Sequence, residues 1–150
     1  MTHPNVVYAL VMFAAGIGIP VMASMNASIG TRFGSPSAAA ILLLLVGGLI
    51  SLAVFLSTAT NPVKSSEPVP WFYYGAGIFV AFYILSITAV APKFGLGNAV
   101  FFVLLGQLIA ASLIDHFGWL GAAQSSLTLR RVLGLAVMAV GVYLARKPPV

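Results

Sequence analysis

The sequence predicts an all-α membrane protein with five transmembrane helices. Apolar residues make up 61% of its 150 positions and charged residues only 6%, and the mean hydropathy is +1.09. Soluble domains carry charge at about a quarter of their positions, so this chain is suited to lipid rather than to water. The apolar residues also fall into five long runs separated by polar segments, which is the pattern of a multi-pass helical protein.

Charged side chains are scattered singly between the apolar runs. Seven Lys and Arg residues stand against two acidic residues, for a net charge of +5. We interpret the cations as anchors at the edges of a bilayer and expect no nucleic-acid partner. The chain has no cysteine, which excludes disulfides and thiolate metal sites.

We expect residues 1–150 to form a single membrane domain. Its helices are predicted at residues 6–27, 37–57, 71–90, 98–114 and 130–145. The first run is not preceded by the basic segment of a secretory signal, since only His3 stands before it, so we interpret it as a helix.

The first predicted helix, 6–27, contains a proline. Pro20 removes a backbone donor and clashes with the carbonyl one turn back, so a kink is expected there. Met22, Ser24 and Asn26 follow it. The kink either serves packing alone or opens backbone that lines a pathway, and the residues leave both interpretations open.

A short loop at residues 30–37 is expected to lead into the second helix, which is almost wholly aliphatic. The segment from Thr58 to Pro70 is the most polar of the chain and predicts an exposed loop. The third helix begins with the aromatic cluster Trp71–Tyr74, which is typical of a membrane interface.

The fourth predicted helix, 98–114, is only just long enough for the hydrocarbon core. Gln107 lies in its middle, where an amide needs a partner in lipid or a wet cavity. It either forms an interhelical hydrogen bond or lines a cavity, and Asn26 is its expected polar companion. Gly118 is a natural stop after this helix.

Asp115 and His116 follow that helix at the membrane edge. A helix C-terminus disfavours an acid, so we expect a reason for Asp115 beyond solvation. A structural ion pair with Lys93 or Arg130 is the favoured interpretation, and direct handling of substrate or protons is the alternative. His116 is expected to be a solvated interfacial side chain. Together with Pro20, these two residues are our candidates for gating.

In the fifth helix, Gly134, Met138 and Gly141 share one narrow face. Small residues let helix backbones approach closely. The face is therefore either a seam between two copies of the chain or a packing surface within one copy.

Five spans would place the chain termini on opposite sides of the membrane and divide the cations almost evenly. Three fall on the N-terminal side and four on the other: Lys64, Arg130 and Arg131 against Arg32, Lys93, Arg146 and Lys147. Either a bias of one charge fixes the orientation, or copies insert both ways and form an antiparallel pair.

Catalytic and metal-binding patterns do not occur in the sequence, so we expect no enzyme activity, cofactor or metal. Several blocks carry a resemblance instead: Gly16–Pro20, Gly34–Pro36, Ala91–Gly95 and, most specifically, GQLIAASLIDHFG at Gly106–Gly118. On these blocks the whole chain resembles the small, YdcZ-like, five-helix branch of the drug/metabolite transporter (DMT) superfamily. The family pattern has a glutamine where this chain has Met22 and a glycine where it has Val80.

The resemblance implies half of a ten-helix inverted-repeat transporter, completed by an antiparallel second copy, a paralogue or a fused repeat. It implies a secondary transporter of a small organic solute or drug-like metabolite, working by alternating access in the bacterial inner membrane. The candidate pathway residues are Asn26, Gln107, Ser24 and Met22.

The nature of the solute and the class of function leave alternatives open. Plentiful aromatic residues favour a cationic or amphipathic solute, because cation–π contact needs few acids. A small channel, or a non-transporting scaffold or accessory subunit that needs none of the pathway residues, stays open as an alternative.

Overall fold

The computed structural model describes residues 4–58 and 68–145, and within these ranges every long element is a helix. Five α-helices follow one another: α1 Pro4–Phe33, α2 Pro36–Thr58, α3 Ala76–Phe94, α4 Leu96–Phe117 and α5 Leu129–Ala145. Short 3-10 helices at Trp71–Gly75 and Trp119–Gly121 precede α3 and follow α4. The all-α prediction is confirmed.

The helices belong to two compact units that divide between Lys93 and Phe94. The first unit holds α1, α2 and nearly all of α3, and the second holds α4 and α5. That the whole chain forms one membrane domain stays a prediction.

Four helical segments are long and apolar enough to cross a membrane: Val6–Phe33, Pro36–Thr58, Trp71–Phe94 and Leu96–Phe117. Helix α5 is shorter than these four segments, with 17 residues. At about 1.5 Å per residue it is about 26 Å long, against a hydrocarbon core of about 30 Å.

The cations Lys64, Arg146 and Lys147, and most of the predicted polar loop, lie outside the described residues.

The first helix is longer than predicted, and the loop after it is shorter. The sequence predicts an end near residue 27 and a loop at 30–37, whereas α1 continues to Phe33. Gly34 then adopts a left-handed φ of 65°, which ends the helix. The Ser35 hydroxyl accepts a hydrogen bond from the Ala38 amide at 3.2 Å, which caps the start of α2. Two residues therefore make the whole connection.

Helices α3 and α4 also extend past their predicted ends. Helix α3 continues past its predicted end at residue 90, through Pro92 to Phe94, because a proline removes only one backbone hydrogen bond and the others remain. Helix α4 has 22 residues instead of the predicted range 98–114. At about 33 Å it is long enough to cross the hydrocarbon core. It ends at Phe117, and Gly118, the glycine expected to stop this helix, follows with a φ of 62°.

Small side chains are buried where α1 and α2 pack together. Ala23 and Ala27 are buried one turn apart on α1, and Ala39 and Ala40 are buried on α2. Large apolar side chains such as Leu49 are exposed instead. Lipid tails are as apolar as leucine, so close backbone approach through small residues is the packing expected of membrane helices.

Candidate functional site

Asn26 is buried in the first unit and joins α1 to α3. Its side chain is 2% exposed, as is that of Thr88. The Asn26 Nδ2 atom donates a hydrogen bond to Thr88 Oγ1 at 2.6 Å, and Thr88 Oγ1 donates to the carbonyl of Ile84 at 2.6 Å. This Asn26–Thr88 bridge is the interhelical hydrogen bond that membrane helices use where an amide would otherwise be unpaired.

Gly30 lies one turn beyond Asn26 on the same face of α1. A Cβ atom at Gly30 would stand 2.9 Å from Thr88 Cγ2 and 3.4 Å from Pro36 Cα. A glycine is therefore needed for this close approach. Sequence reasoning missed Gly30 and Thr88. The spacing of four residues between Asn26 and Gly30 was the available signal, since it places both on one helix face.

The opposite face of α1 carries an open groove of about 430 Å³, lined by Ser24, Met25, Ser28, Ile29 and Arg32. We call it the α1 groove. Ser24, Ser28 and Arg32 recur every four residues and so form one polar stripe along the helix. Ser24 therefore lines the groove, whereas Asn26 points to the other side. That either residue lines a pathway stays a prediction.

Met22 and Pro20, the other first-helix candidates, are half-buried. Helix α1 is helical on both sides of Pro20. Because proline has no backbone donor, the carbonyl of Gly16 lacks its helical partner there.

Gln107 is exposed on α4, and the structure records no hydrogen bond to its side chain within the described residues. The small neighbour Gly106 has open space around it, since an added Cβ would meet nothing within 4 Å. The expected pairing of Gln107 with Asn26 would join the two units and stays a prediction. The donor of Asn26 is already engaged by Thr88.

Asp115 forms an ion pair, but its partner is neither Lys93 nor Arg130. Arg131 Nη2 donates to Asp115 Oδ2 at 2.7 Å, and both side chains are 35% exposed. Arg130 is one residue away, about 100° around the helix, and is exposed. The Arg131 amide donates to Thr128 Oγ1 at 3.3 Å at the start of α5. The helix start therefore fixes which arginine faces Asp115.

His116 was expected to be a solvated side chain, but in the structure it forms a hydrogen bond to the segment between α4 and α5. Its Nδ1 atom accepts a hydrogen bond from the Leu127 amide at 3.1 Å, which requires a lone pair on that nitrogen. The Ser125 amide donates to the Asp115 carbonyl at 2.8 Å, and Gln124 Nε2 donates to the His116 carbonyl at 3.3 Å. The returning segment thus supplies partners to the carbonyls that a helix C-terminus leaves open.

The two glycines of the predicted seam on α5 have open space around them. A Cβ at Gly134 or at Gly141 would meet nothing within 4 Å, and Met138 between them is half-buried. Larger side chains at the two glycines would enter open space in a single copy of the chain.

Among the described residues, no group of three His, Cys, Asp or Glu side chains is placed to bind a metal ion. These residues form long apolar helices that carry polar groups on some faces. The class that this defines is a multi-pass α-helical membrane protein.

The comparison with known families agrees with this class of protein. The family described as "Putative inner membrane exporter, YdcZ" matches residues 7–144, and the chain belongs to this family. The resemblance found in the sequence is confirmed. The family's description, a putative membrane exporter, implies a transporter rather than an enzyme. No curated protein and no solved structure matches this chain.

Proposed function

We propose that the chain is a secondary transporter that moves a small organic solute by alternating access, as an antiparallel homodimer with dual topology. The observation that carries the proposal is the presence of exposed, unbonded polar side chains in two apolar spans. Ser24 lies in the α1 groove and Gln107 on α4. Polar groups at membrane depth are tolerated where they line a cavity or meet a partner.

The roles of the other candidates follow from their contacts. We assign Ser24 and Gln107 to the pathway. Met22 lies one turn before Asn26 and so shares the Asn26 face of α1, not the face that carries the groove. Asn26 holds α1 in place through the Asn26–Thr88 bridge, and so orients the groove on the opposite face. This assignment favours a carrier over a scaffold, because a scaffold has no need of unpaired polar groups.

Gating is assigned to the ends of the helices. The Asp115–Arg131 ion pair and the bond from Leu127 to His116 tie the start of α5 to the end of α4. Opening these bonds would release α5, and Pro20 supplies a point in α1 where one backbone bond is missing. Alternating access needs such elements with two arrangements.

Flux into proteoliposomes tests the transport step. We expect saturable counterflow of a transported solute, reduced severalfold by Gln107→Leu and by Ser24→Ala. Ser51→Ala is the matched control, because Ser51 is also exposed on a spanning helix but its hydroxyl is already bonded to the carbonyl of Gly47 at 2.9 Å. Flux linear in concentration would favour a channel, and no flux for any solute would favour a scaffold.

Reporters at the C-terminus test the topology. Dual topology predicts labelling from both faces of the membrane, and labelling from one face alone would refute it.

A further inference from the structure

We infer that the α1 groove recognises an anion, and that the transported solute is a small organic anion held by Arg32, Ser28 and Ser24. The inference rests on the proposed function for the transport step, but binding in the groove can be measured by itself. It begins from the charge of Arg32, which lies in the last turn of α1 and lines the groove.

Arg32 has no counter-ion among the residues that the structure describes. The one ion pair there joins Arg131 to Asp115, so that carboxylate is already engaged. The other acid of the chain, Glu67, lies outside the described residues. A cationic solute entering the groove would meet an unpaired guanidinium, whereas a carboxylate, sulfonate or phosphate ester would receive charge-assisted hydrogen bonds from it.

The two serines of the groove differ from five other hydroxyl side chains in the same unit. Those five bond back to a carbonyl of their own helix, namely Thr31, Ser51, Ser57, Thr58 and Thr88. Among the described residues Ser24 and Ser28 make no such bond. Ser86 on α3 makes no such bond there either, but it does not line the groove. The hydroxyls of Ser24 and Ser28 are free to donate to an anion on the same stripe as Arg32.

The remaining lining suits the organic part of such a solute. Met25 and Ile29 form an apolar strip beside the polar stripe, and ligand sites commonly combine apolar walls with a few polar groups that fix orientation. An interfacial anchor would explain Arg32 alone. It would not explain two unbonded serines that share the groove with it.

Equilibrium binding to the purified full-length chain in detergent is the first test. The probes are benzoate, benzenesulfonate and phenyl phosphate, with benzamide and benzyltrimethylammonium as neutral and cationic controls. We expect at least one anion to bind, with affinity about tenfold or more lower in Arg32→Gln and partly recovered in Arg32→Lys. The double variant Ser24→Ala/Ser28→Ala should also weaken binding.

Lys93→Gln is the charge-matched control. Lys93 is exposed near the end of α3 and does not line the groove, so its removal should change anion affinity less than twofold. Tighter binding of the cation, or anion affinity unchanged by Arg32→Gln, would overturn the inference. Helix content by circular dichroism shows that each variant is folded.

Two further arms separate the sources of the anion and the two proposals. Phosphatidylglycerol that binds through Arg32, with no binding of any soluble anion, would mean that a lipid headgroup occupies the groove, and it would overturn the solute assignment. Flux then tests transport itself. Cation flux that is insensitive to Arg32→Gln would leave the transporter proposal standing and remove this one. Arg32-dependent anion binding without flux of any solute would leave the anion site in the groove standing, and would remove the transporter proposal together with the assignment of the anion as a transported solute.

Discussion

The close approach at Gly30 gives the sharpest test of the fold. Gly30→Ala would place a Cβ atom 2.9 Å from Thr88 Cγ2, a distance that real Cβ contacts do not tolerate without movement. The threonine is buried and β-branched, so its methyl group has little freedom to turn away. Overpacking of this kind costs about 1–3 kcal/mol, and the better helix propensity of alanine returns up to about 1 kcal/mol. We expect a net loss of about 1 kcal/mol in the free energy of unfolding.

The clash can be relieved by a second change. Thr88→Ser removes the Cγ2 methyl group but keeps the hydroxyl that bonds to Asn26. The next atoms that the new Cβ would meet are Pro36 Cα at 3.4 Å and Ala39 Cβ at 3.6 Å, which need at most a small adjustment. The double variant should therefore be more stable than the sum of the single effects implies, by about 1 kcal/mol or more.

Unfolding in mixed micelles with increasing dodecyl sulfate measures these differences. Trp71 fluorescence is the signal from the first unit, recorded in a Trp119→Phe background because Trp119 belongs to the second unit. Gly16→Ala is the matched control, because its added Cβ would meet nothing within 4 Å in the same helix. It should be neutral or slightly stabilising. Additive effects of Gly30→Ala and Thr88→Ser, within about 0.5 kcal/mol, would refute the packing argument.

Three further predictions concern hydrogen bonds, charge and assembly. Thr88→Val should cost about 1–2 kcal/mol of unfolding free energy, because it leaves the buried Asn26 amide unpaired; an unchanged value would mean that water or another group replaces the hydroxyl. Asp115→Asn should cost at most about 1 kcal/mol, since the pair with Arg131 is a third exposed, and 1 M salt should remove most of the difference. Gly134→Leu with Gly141→Leu should leave the single copy folded but separate the dimer in cross-linking, and an intact dimer would exclude this face as the seam.

The number and order of the helices could be predicted because apolar runs in lipid have few alternatives. Every backbone group must be bonded internally, so a long apolar run becomes a helix. The helix ends were less predictable. Ala27 and Gly30 suggested the start of a loop, yet in the structure they are buried contacts inside α1. In a membrane protein small residues mark close helix packing as often as they mark turns.

The polar partners could not be predicted from spacing. Thr88 is 62 residues from Asn26 along the chain, and nothing in either helix alone identifies the other. The sequence analysis expected Lys93 or Arg130 as the partner of Asp115, and nothing in the spacing singled out Arg131. The choice depends on where α5 starts, which the Thr128 hydroxyl fixes through the Arg131 amide. The family itself was recognisable, because the block Gly106–Gly118 is specific where single glycines are not.

Helix α1 separates its structural and its proposed functional residues by face, and this makes the two roles testable apart. Residues two positions apart lie about 200° around a helix, so Ser24 and Ser28 point away from the side that Asn26 uses to reach Thr88. Changes on the Asn26 and Gly30 face should alter stability, whereas changes along the α1 groove should alter solute affinity with little effect on unfolding. A groove variant that destabilised the chain as much as Thr88→Val would show that both faces are packed, and the groove would then be no binding site.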